Sequence, residues 1–342
     1  MNNTISEAKE TVINAGLKLC KEGLVARTWG NISSRISETE YVITPSGKAY
    51  DQLTEDEIVK VNLTDGSYSG HVKPSGEKGV HEAVYQLRPE AEFVIHTHQN
   101  YASALSIMGK NFKVTEQEAV EMLGNVIPCA GYGMYGSKQL IRNVTKVLKE
   151  NPDSRCLLMR NHGALCFGKD EGEAFAIAYK LEQQCKKIYE NLCGETLILK
   201  NRSAESHCEQ EMDSKLKEQL KTEEIIYSAK PYTVAMSGFG EVMEPYIDDL
   251  AQIGGVTIRC IDTLSVPDCA RALKNRNAVL VKGKGAVCTG KDRDDAEAVA
   301  TVLEKACMAA YLAKQVKEVL PLSKYHASAD RKGYVNSYSK LK

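Results

Sequence analysis

Two stretches of this chain spell the same pattern, and that repeat constrains the fold more than any other feature. Met159-Arg160-Asn161-His162-Gly163-Ala164-Leu165-Cys166-Phe167-Gly168-Lys169-Asp170 is mirrored by Val281-Lys282-Gly283-Lys284-Gly285-Ala286-Val287-Cys288-Thr289-Gly290-Lys291-Asp292. Each copy reads as an apolar strand, a glycine turn and a second strand. Each then runs into an alanine-rich helix, at Glu173–Ala178 and at Asp295–Ala300. Upstream, Val256–Cys260 stands where Val126–Cys129 stands in the first copy. A duplicated unit of this kind implies an α/β chain with a smaller second sheet. The repeat is unequal at one position, because Lys284 stands where the first copy has His162. A protonated lysine is not a metal ligand, so the second copy is expected to hold no metal.

The chemistry-bearing residues lie in the first half. Ala91-Glu92-Phe93-Val94-Ile95-His96-Thr97-His98 begins as a buried strand, rich in valine, isoleucine and phenylalanine. Strand side chains alternate, so His96 and His98 share a face, about 7 Å apart along the chain. Two readings stand at this point: a hydrogen-bonded pair at a strand end, or half of a metal site with open positions. His162, at a glycine turn between strands, is the obvious third imidazole if the second reading holds.

Around these residues the pattern alternates helices with short strands. Ile5 to Gly23 has helical spacing at Ala8, Val12, Ala15 and Leu19, with Ser6 as the expected cap. Gly30-Asn31 reads as a tight turn into a strand, followed by Tyr41–Thr44. Pro-Ser-Gly occurs twice, at Pro45-Ser46-Gly47 and at Pro74-Ser75-Gly76, and the second is followed by Glu77. Such turns present hydroxyl and backbone N–H groups that can cradle a phosphate, although each alone is an ordinary turn. Val80, Ala83, Val84 and Leu87 mark a helix face, Ser137–Lys149 a second, and Glu171–Cys193 a long third. Asn201 to Thr222 is charged and reads as a linker with a solvated helix, with His207 and Cys208 given no metal role, and Lys324–Lys342 reads as a mobile tail. The expected division is 1–200 for a catalytic domain, 201–228 for the linker, 229–322 for the degenerate half-repeat and 323–342 for the tail.

Composition narrows the partners. Lys and Arg number 44 against 45 Asp and Glu, for a net charge of −1, so no global field favours nucleic acid or an anionic membrane. One tryptophan and five phenylalanines make a poor stacking platform for single strands. The 11 cysteines are odd in number and scattered without a Cys-x-x-Cys pair, which points to a reducing, cytoplasmic compartment. No apolar run is long enough to span a bilayer, and the polar N-terminus has no signal-peptide core.

Five stretches now fall into one order: Trp29-Gly30-Asn31-Ile32-Ser33, Ile43-Thr44-Pro45-Ser46-Gly47, Lys73-Pro74-Ser75-Gly76-Glu77, His96-Thr97-His98 and Asn161-His162-Gly163. In that order and spacing, over roughly Ile5 to Gly194, the chain resembles the class II aldolase/adducin family, and most closely its fuculose-phosphate aldolase branch. The resemblance implies a three-layer α/β/α sandwich around a mixed, mostly antiparallel sheet. It implies one Zn²⁺ per chain on His96, His98 and His162, with Glu77 as acid/base beside it. It assigns Asn31, Ser46, Gly47, Ser75 and Gly76 to substrate phosphate. The expected activity is that of an aldehyde-lyase in carbohydrate metabolism. It would cleave a ketose 1-phosphate to dihydroxyacetone phosphate and an aldehyde through a metal-stabilised enediolate, in a tetramer-like homo-oligomer. Two departures stand out. Gly76 occupies a place where phospho-sugar aldolases of the family carry a second serine, and Val114–Ala119 lacks the tyrosine found after the His-x-His helix. These leave room for an epimerase, dehydratase or decarboxylase on the same metal site, although Glu77 favours an aldolase, since the related 4-epimerases carry aspartate there. A non-catalytic adducin-like interaction protein is a third reading, opposed by the retention of all three histidines.

Overall fold

A computed structural model describes residues 4–25, 29–194, 209–220, 222, 224–316 and 318–336. The chain divides into two compact units, one ending at Ile188 and the other beginning at Tyr189.

The first unit opens with helix α1 (Ile5–Lys21). Thr4, not Ser6, caps it: the Thr4 hydroxyl accepts from Glu7 N at 3.3 Å, and the Glu7 carboxylate accepts from Thr4 N at 2.8 Å. This reciprocal pair satisfies backbone donors that Ser6, already inside the first turn, could not reach. Strands β1 (Asn31–Arg35), β2 (Glu40–Ile43) and β3 (Val59–Asn62) follow, then α2 (Lys78–Leu87) and β4 (Phe93–Thr97). Next come α3 (Asn100–Ser106), β5 (Phe112–Lys113), α4 (Gln117–Leu123), β6 (Val126–Ile127) and β7 (Cys129–Ala130). Helix α5 (Lys138–Glu150), β8 (Cys156–Met159), β9 (Ala164–Gly168) and α6 (Glu171–Cys193) complete the series.

Seven strands form one sheet in the order β3-β2-β1-β4-β9-β8-β7, and every pairing is antiparallel except β7 with β8. Pro128 explains why the apolar run Val126–Cys129 is two strands rather than one. Proline cannot donate to a ladder, so Val126–Ile127 pairs with β5 in a separate ribbon, while Cys129–Ala130 joins the main sheet. Alternation then sorts the sheet's two faces. Val94, Tyr41 and Leu165 pack with Val80, Val84, Leu140 and Val144 from α2 and α5. Phe93, Ile95, Val42 and Ile32 pack with Val12, Ala15, Leu19 and Phe175 from α1 and α6. The result is the three-layer α/β/α sandwich that the resemblance implied, with the sheet buried on both faces.

The second unit holds α7 (Glu209–Leu220), β10 (Glu224–Ser228), α8 (Pro231–Gly238), β11 (Arg259–Ile261), α9 (Val266–Leu273), β12 (Ala278–Val281), β13 (Gly285–Gly290), α10 (Arg293–Gln315) and α11 (Lys324–Asn336). Its sheet runs β10-β13-β12-β11, antiparallel, antiparallel and parallel. That is the pattern of β4-β9-β8-β7. The match extends to side chains. Glu182 accepts from Tyr101 N and Ala102 N at 2.8 and 3.0 Å, and Glu304 accepts from Tyr232 N and Thr233 N at 2.9 and 2.8 Å. Cys129 Sγ approaches Ser106 O at 3.8 Å, as Cys260 Sγ approaches Ser237 O at 3.8 Å. The second sheet therefore repeats half of the first, and among the described residues it has no counterparts of β1 to β3.

Three expected boundaries move. The first falls at 188–189 rather than 200, inside α6, which continues unbroken to Cys193. The segment read as a linker contains β10, paired with β13, and α7, whose Leu216 is fully buried among Leu273, Val279 and Val287. Its lysines and glutamates masked one apolar row. His207 and Cys208 lie outside the described residues. The segment read as a tail is helix α11, with Ala327, Asp330 and Tyr334 buried; residues 337–342 lie outside the described residues. Arg331 anchors that helix by donating to Gln252 O, Ile253 O and Asn277 Oδ1 at 2.6, 2.9 and 2.8 Å. Among the described residues no helix is long and apolar enough to cross a membrane.

Arg331→Ala should therefore destabilise the second unit by ~1–3 kcal/mol, the cost of leaving buried acceptors unpaired. Urea unfolding reads this as a lowered midpoint. An unchanged midpoint would mean that α11 contributes no more than a loose tail.

Candidate metal centre

Strand β4 carries His96 near its end, and His98 follows one residue beyond the strand. Their Nε2 atoms lie 2.9 Å apart. His162 comes from the β8–β9 turn, where Asn161 adopts a positive φ of 59° and His162 N donates to Met159 O at 3.0 Å. Its Nε2 lies 3.0 Å from that of His96. The turn can approach β4 this closely because residue 163 is glycine: a Cβ there would lie 2.3 Å from Thr97 O and 3.1 Å from His96 Cε1. All three imidazoles are buried, and their ligand atoms lie within 4.8 Å of one another.

This donor set fits a divalent cation. His96 Nδ1 lies 2.9 Å from Ala164 O. The carbonyl can only accept, so the ring proton sits on Nδ1 and Nε2 presents a lone pair. Burial lowers the His96 pKa to about 3, against the opposing pull of Glu77, so the ring is neutral at pH 7. Tetrahedral zinc with nitrogens at about 2.0–2.1 Å would set them about 3.3 Å apart, close to the two separations from His96 given above. Glu77 adds a carboxylate, with Oε2 3.2 Å from His96 Nε2 and Oε1 3.2 Å from His162 Nε2. Oε1 is buried and finds no well-aligned donor, as suits an oxygen that would face a bound cation. Burial alone would raise the Glu77 pKa, but the two imidazoles and the Asn31 amide outweigh it and hold the carboxyl well below the usual range.

A polar chain that the sequence reading missed orients Glu77. Asn31 Nδ2 donates to Glu77 Oε2 at 3.0 Å, and Asn31 Oδ1 lies 2.5 Å from His81 Nε2. His81 Nδ1 lies 2.6 Å from Ser33 Oγ, which lies 2.7 Å from the Tyr85 hydroxyl. Burial lowers the His81 pKa to about 3, so its ring is neutral. It donates through Nε2 to the Asn31 carbonyl oxygen and accepts through Nδ1 from Ser33. Spacing could have revealed this chain. Glu77, His81 and Tyr85 recur every four residues into α2, and Asn31 and Ser33 share a face of β1.

The two Pro-Ser-Gly turns meet. Pro45 and Pro74 form an isolated antiparallel bridge, with Ser46 N donating to Lys73 O at 3.1 Å and Ser75 N to Thr44 O at 3.0 Å. Gly47 turns the first loop with a φ of 74°. Tyr135, from the glycine-rich segment before α5, places its hydroxyl against Ser46, Ser75 and the Gly76 backbone. Burial, and then the Glu77 charge, push its pKa up, so it remains a protonated phenol. No sequence spacing pointed to Tyr135. Of the expected site residues, His96, His98, His162 and Glu77 come together directly. Asn31 joins them through Glu77, while Ser46, Ser75 and Gly76 gather at Tyr135.

The second unit retains none of the imidazoles. His96 opposes Leu165 in the first sheet, and Tyr227 opposes Val287 in the second. In that register Tyr227, Ala229 and Lys284 replace His96, His98 and His162. Among the described residues no second cluster of three such ligand groups forms.

Comparison with known proteins agrees with this division. A family model described as Class II Aldolase and Adducin N-terminal domain matches residues 10–189 and again 216–311. L-fuculose phosphate aldolase of Escherichia coli K12 is 32% identical over 171 residues, which are 50% of this chain and 77% of the relative. A 5-methylthioribulose-1-phosphate/5-deoxyribulose-1-phosphate aldolase of Escherichia coli O45:K1 is 35% identical over 156 residues, 46% of this chain and 71% of the relative. A solved structure of L-fuculose 1-phosphate aldolase superposes with a TM-score of 0.51 at 30% identity, covering 57% of this chain and 92% of that one.

Gly163→Ala should weaken zinc binding by about 10- to 100-fold, the usual penalty for misplacing a ligand through its support. Competition against a chromogenic chelator measures it, with circular dichroism to check folding. Unchanged affinity would show that the close turn is not what positions His162.

Proposed function

The chain belongs to the class II aldolase and adducin N-terminal domain family, and from that premise we propose that it is a zinc-dependent aldolase. Its substrate is a ketose 1-phosphate resembling fuculose 1-phosphate, cleaved to dihydroxyacetone phosphate and an aldehyde. The observation that carries this reading is the convergence of three buried imidazole nitrogens beside a buried carboxylate. The names of the relatives, aldolases of fuculose, methylthioribulose and deoxyribulose phosphates, support the substrate class.

A divalent metal on His96, His98 and His162 would supply Lewis-acid polarisation of the substrate carbonyl. The residues of the chain do the rest. In cleavage, the hydroxyl on the carbon that becomes the aldehyde loses its proton, and the adjacent C–C bond breaks. The bonding pair flows toward the ketone, and the carbon left on the phosphate-bearing half regains a proton. Glu77, ionised and adjoining the imidazoles, is assigned the proton shuttle: it accepts the proton that the hydroxyl releases and returns a proton to that carbon, which regenerates the carboxylate. Asn31 holds Oε2, and the Tyr85–Ser33–His81 chain holds Asn31, so the carboxylate is oriented before substrate arrives. Ser46, Gly47, Ser75 and Gly76 are assigned to the phosphate. A homo-oligomer belongs to the same reading and is tested by sedimentation.

Glu77→Gln should keep its metal and lose turnover by about 10²–10⁴-fold, the range for removing a general acid/base. Metal content and the release of dihydroxyacetone phosphate from ketose 1-phosphates, followed in parallel, test this. Normal turnover in the variant would remove Glu77 from the proton-transfer role. Conversion of the substrate without any triose product would replace cleavage by another reaction.

A further inference from the structure

Beside Glu77 the Ser46 and Ser75 hydroxyls and the Gly76 backbone lie next to the Tyr135 phenol. A phenol offers two lone pairs and carries one hydrogen of its own. The two serine hydroxyls both donate and accept, so an acceptor such as a phosphate oxygen entering the cradle would meet three hydroxyl donors, the Tyr135 O–H among them. Tyr135 is 39% exposed, so a ligand can reach it from solvent. Gly76 is part of the same arrangement: a Cβ at 76 would lie 2.7 Å from the Tyr135 hydroxyl oxygen and 2.9 Å from Cε1 and Cζ. The ring fills the space that a side chain at 76 would need, so a hydroxyl placed at position 76 would have to displace the Tyr135 ring. Gly136, with a φ of 66°, lets the loop close to within 3.0 Å of Gly76 O, measured from a built Cβ.

We propose that Tyr135 is a substrate-phosphate ligand, supplying through its phenol the hydroxyl donor that Gly76 lacks. This inference rests on the phosphorylated-substrate reading above. Tyr135 acts on binding and takes no part in bond breaking.

Calorimetry of inorganic phosphate binding to the zinc-loaded full chain tests it. Tyr135→Phe keeps the ring and should weaken phosphate about tenfold, the usual effect of losing one hydrogen bond to a charged group. With a ketose 1-phosphate, KM should rise by a similar factor while kcat changes less than about twofold. A merely structural tyrosine would lower the melting temperature and kcat together instead. The Tyr135→Ala/Gly76→Ser double variant moves the hydroxyl to position 76 and should recover most of the lost affinity. Gly76→Ser alone should not gain affinity, because side chain and ring compete for one space. If wild type and Tyr135→Phe bind phosphate equally, the proposal is overturned while the phosphate reading stands. If wild type binds neither phosphate nor a phosphorylated ketose, the phosphate reading falls and the proposal with it.

Discussion

Three imidazoles and one carboxylate are buried within a few ångströms of one another, and the arrangement of the first unit follows from the need to hold them there. Burying a carboxylate with an unpaired oxygen is costly unless a cation or donors face it. Glu77 meets that cost on one oxygen through Asn31, and leaves the other toward His162. Regular elements position these groups. Strand β4 is central in the sheet, Asn31 lies opposite His96 in register, and Glu77 sits at the start of α2. Gly163 permits the one contact between turn and strand that a side chain would prevent.

The duplicated half shows the same scaffold without that requirement. Its strand order, its cysteine contacts and its helix-capping glutamate match the first copy, yet tyrosine, alanine and lysine replace the three histidines. Among the described residues it also has no counterparts of β1 to β3, the strands and loops that carry Asn31 and Ser46. Sheet, helices and turn can therefore persist without the ligands, so the histidines are not required to build this unit. Their presence in the first copy calls for a separate reason, which the proposed chemistry supplies.

Much of this was readable from the chain alone, and the exceptions have physical causes. The His-x-His strand, the His162 turn, Glu77 and the repeat are local patterns with strong spacing, and the structure brings the three histidines and Glu77 together. The site's outer shell was missed because its members meet across elements: His81 from α2 touches Asn31 and Ser33 from β1. Tyr135 reaches Ser46 and Ser75 from a glycine-rich loop that shares no periodicity with them. The linker and tail were misread for a different reason. In α7 and α11 a few buried residues, Leu216, Ala327 and Tyr334, sit among charged and polar residues. Charge dominated the local pattern, although one buried row is enough to dock a helix.

The central claim is that the first unit, and only the first, holds one divalent metal through His96, His98 and His162. Elemental analysis of the purified full chain after zinc loading, run beside a His96→Ala variant, tests it most directly. The account predicts one zinc per chain in the wild type and none retained in the variant. A wild-type chain without zinc, or a variant that keeps it, would contradict the account.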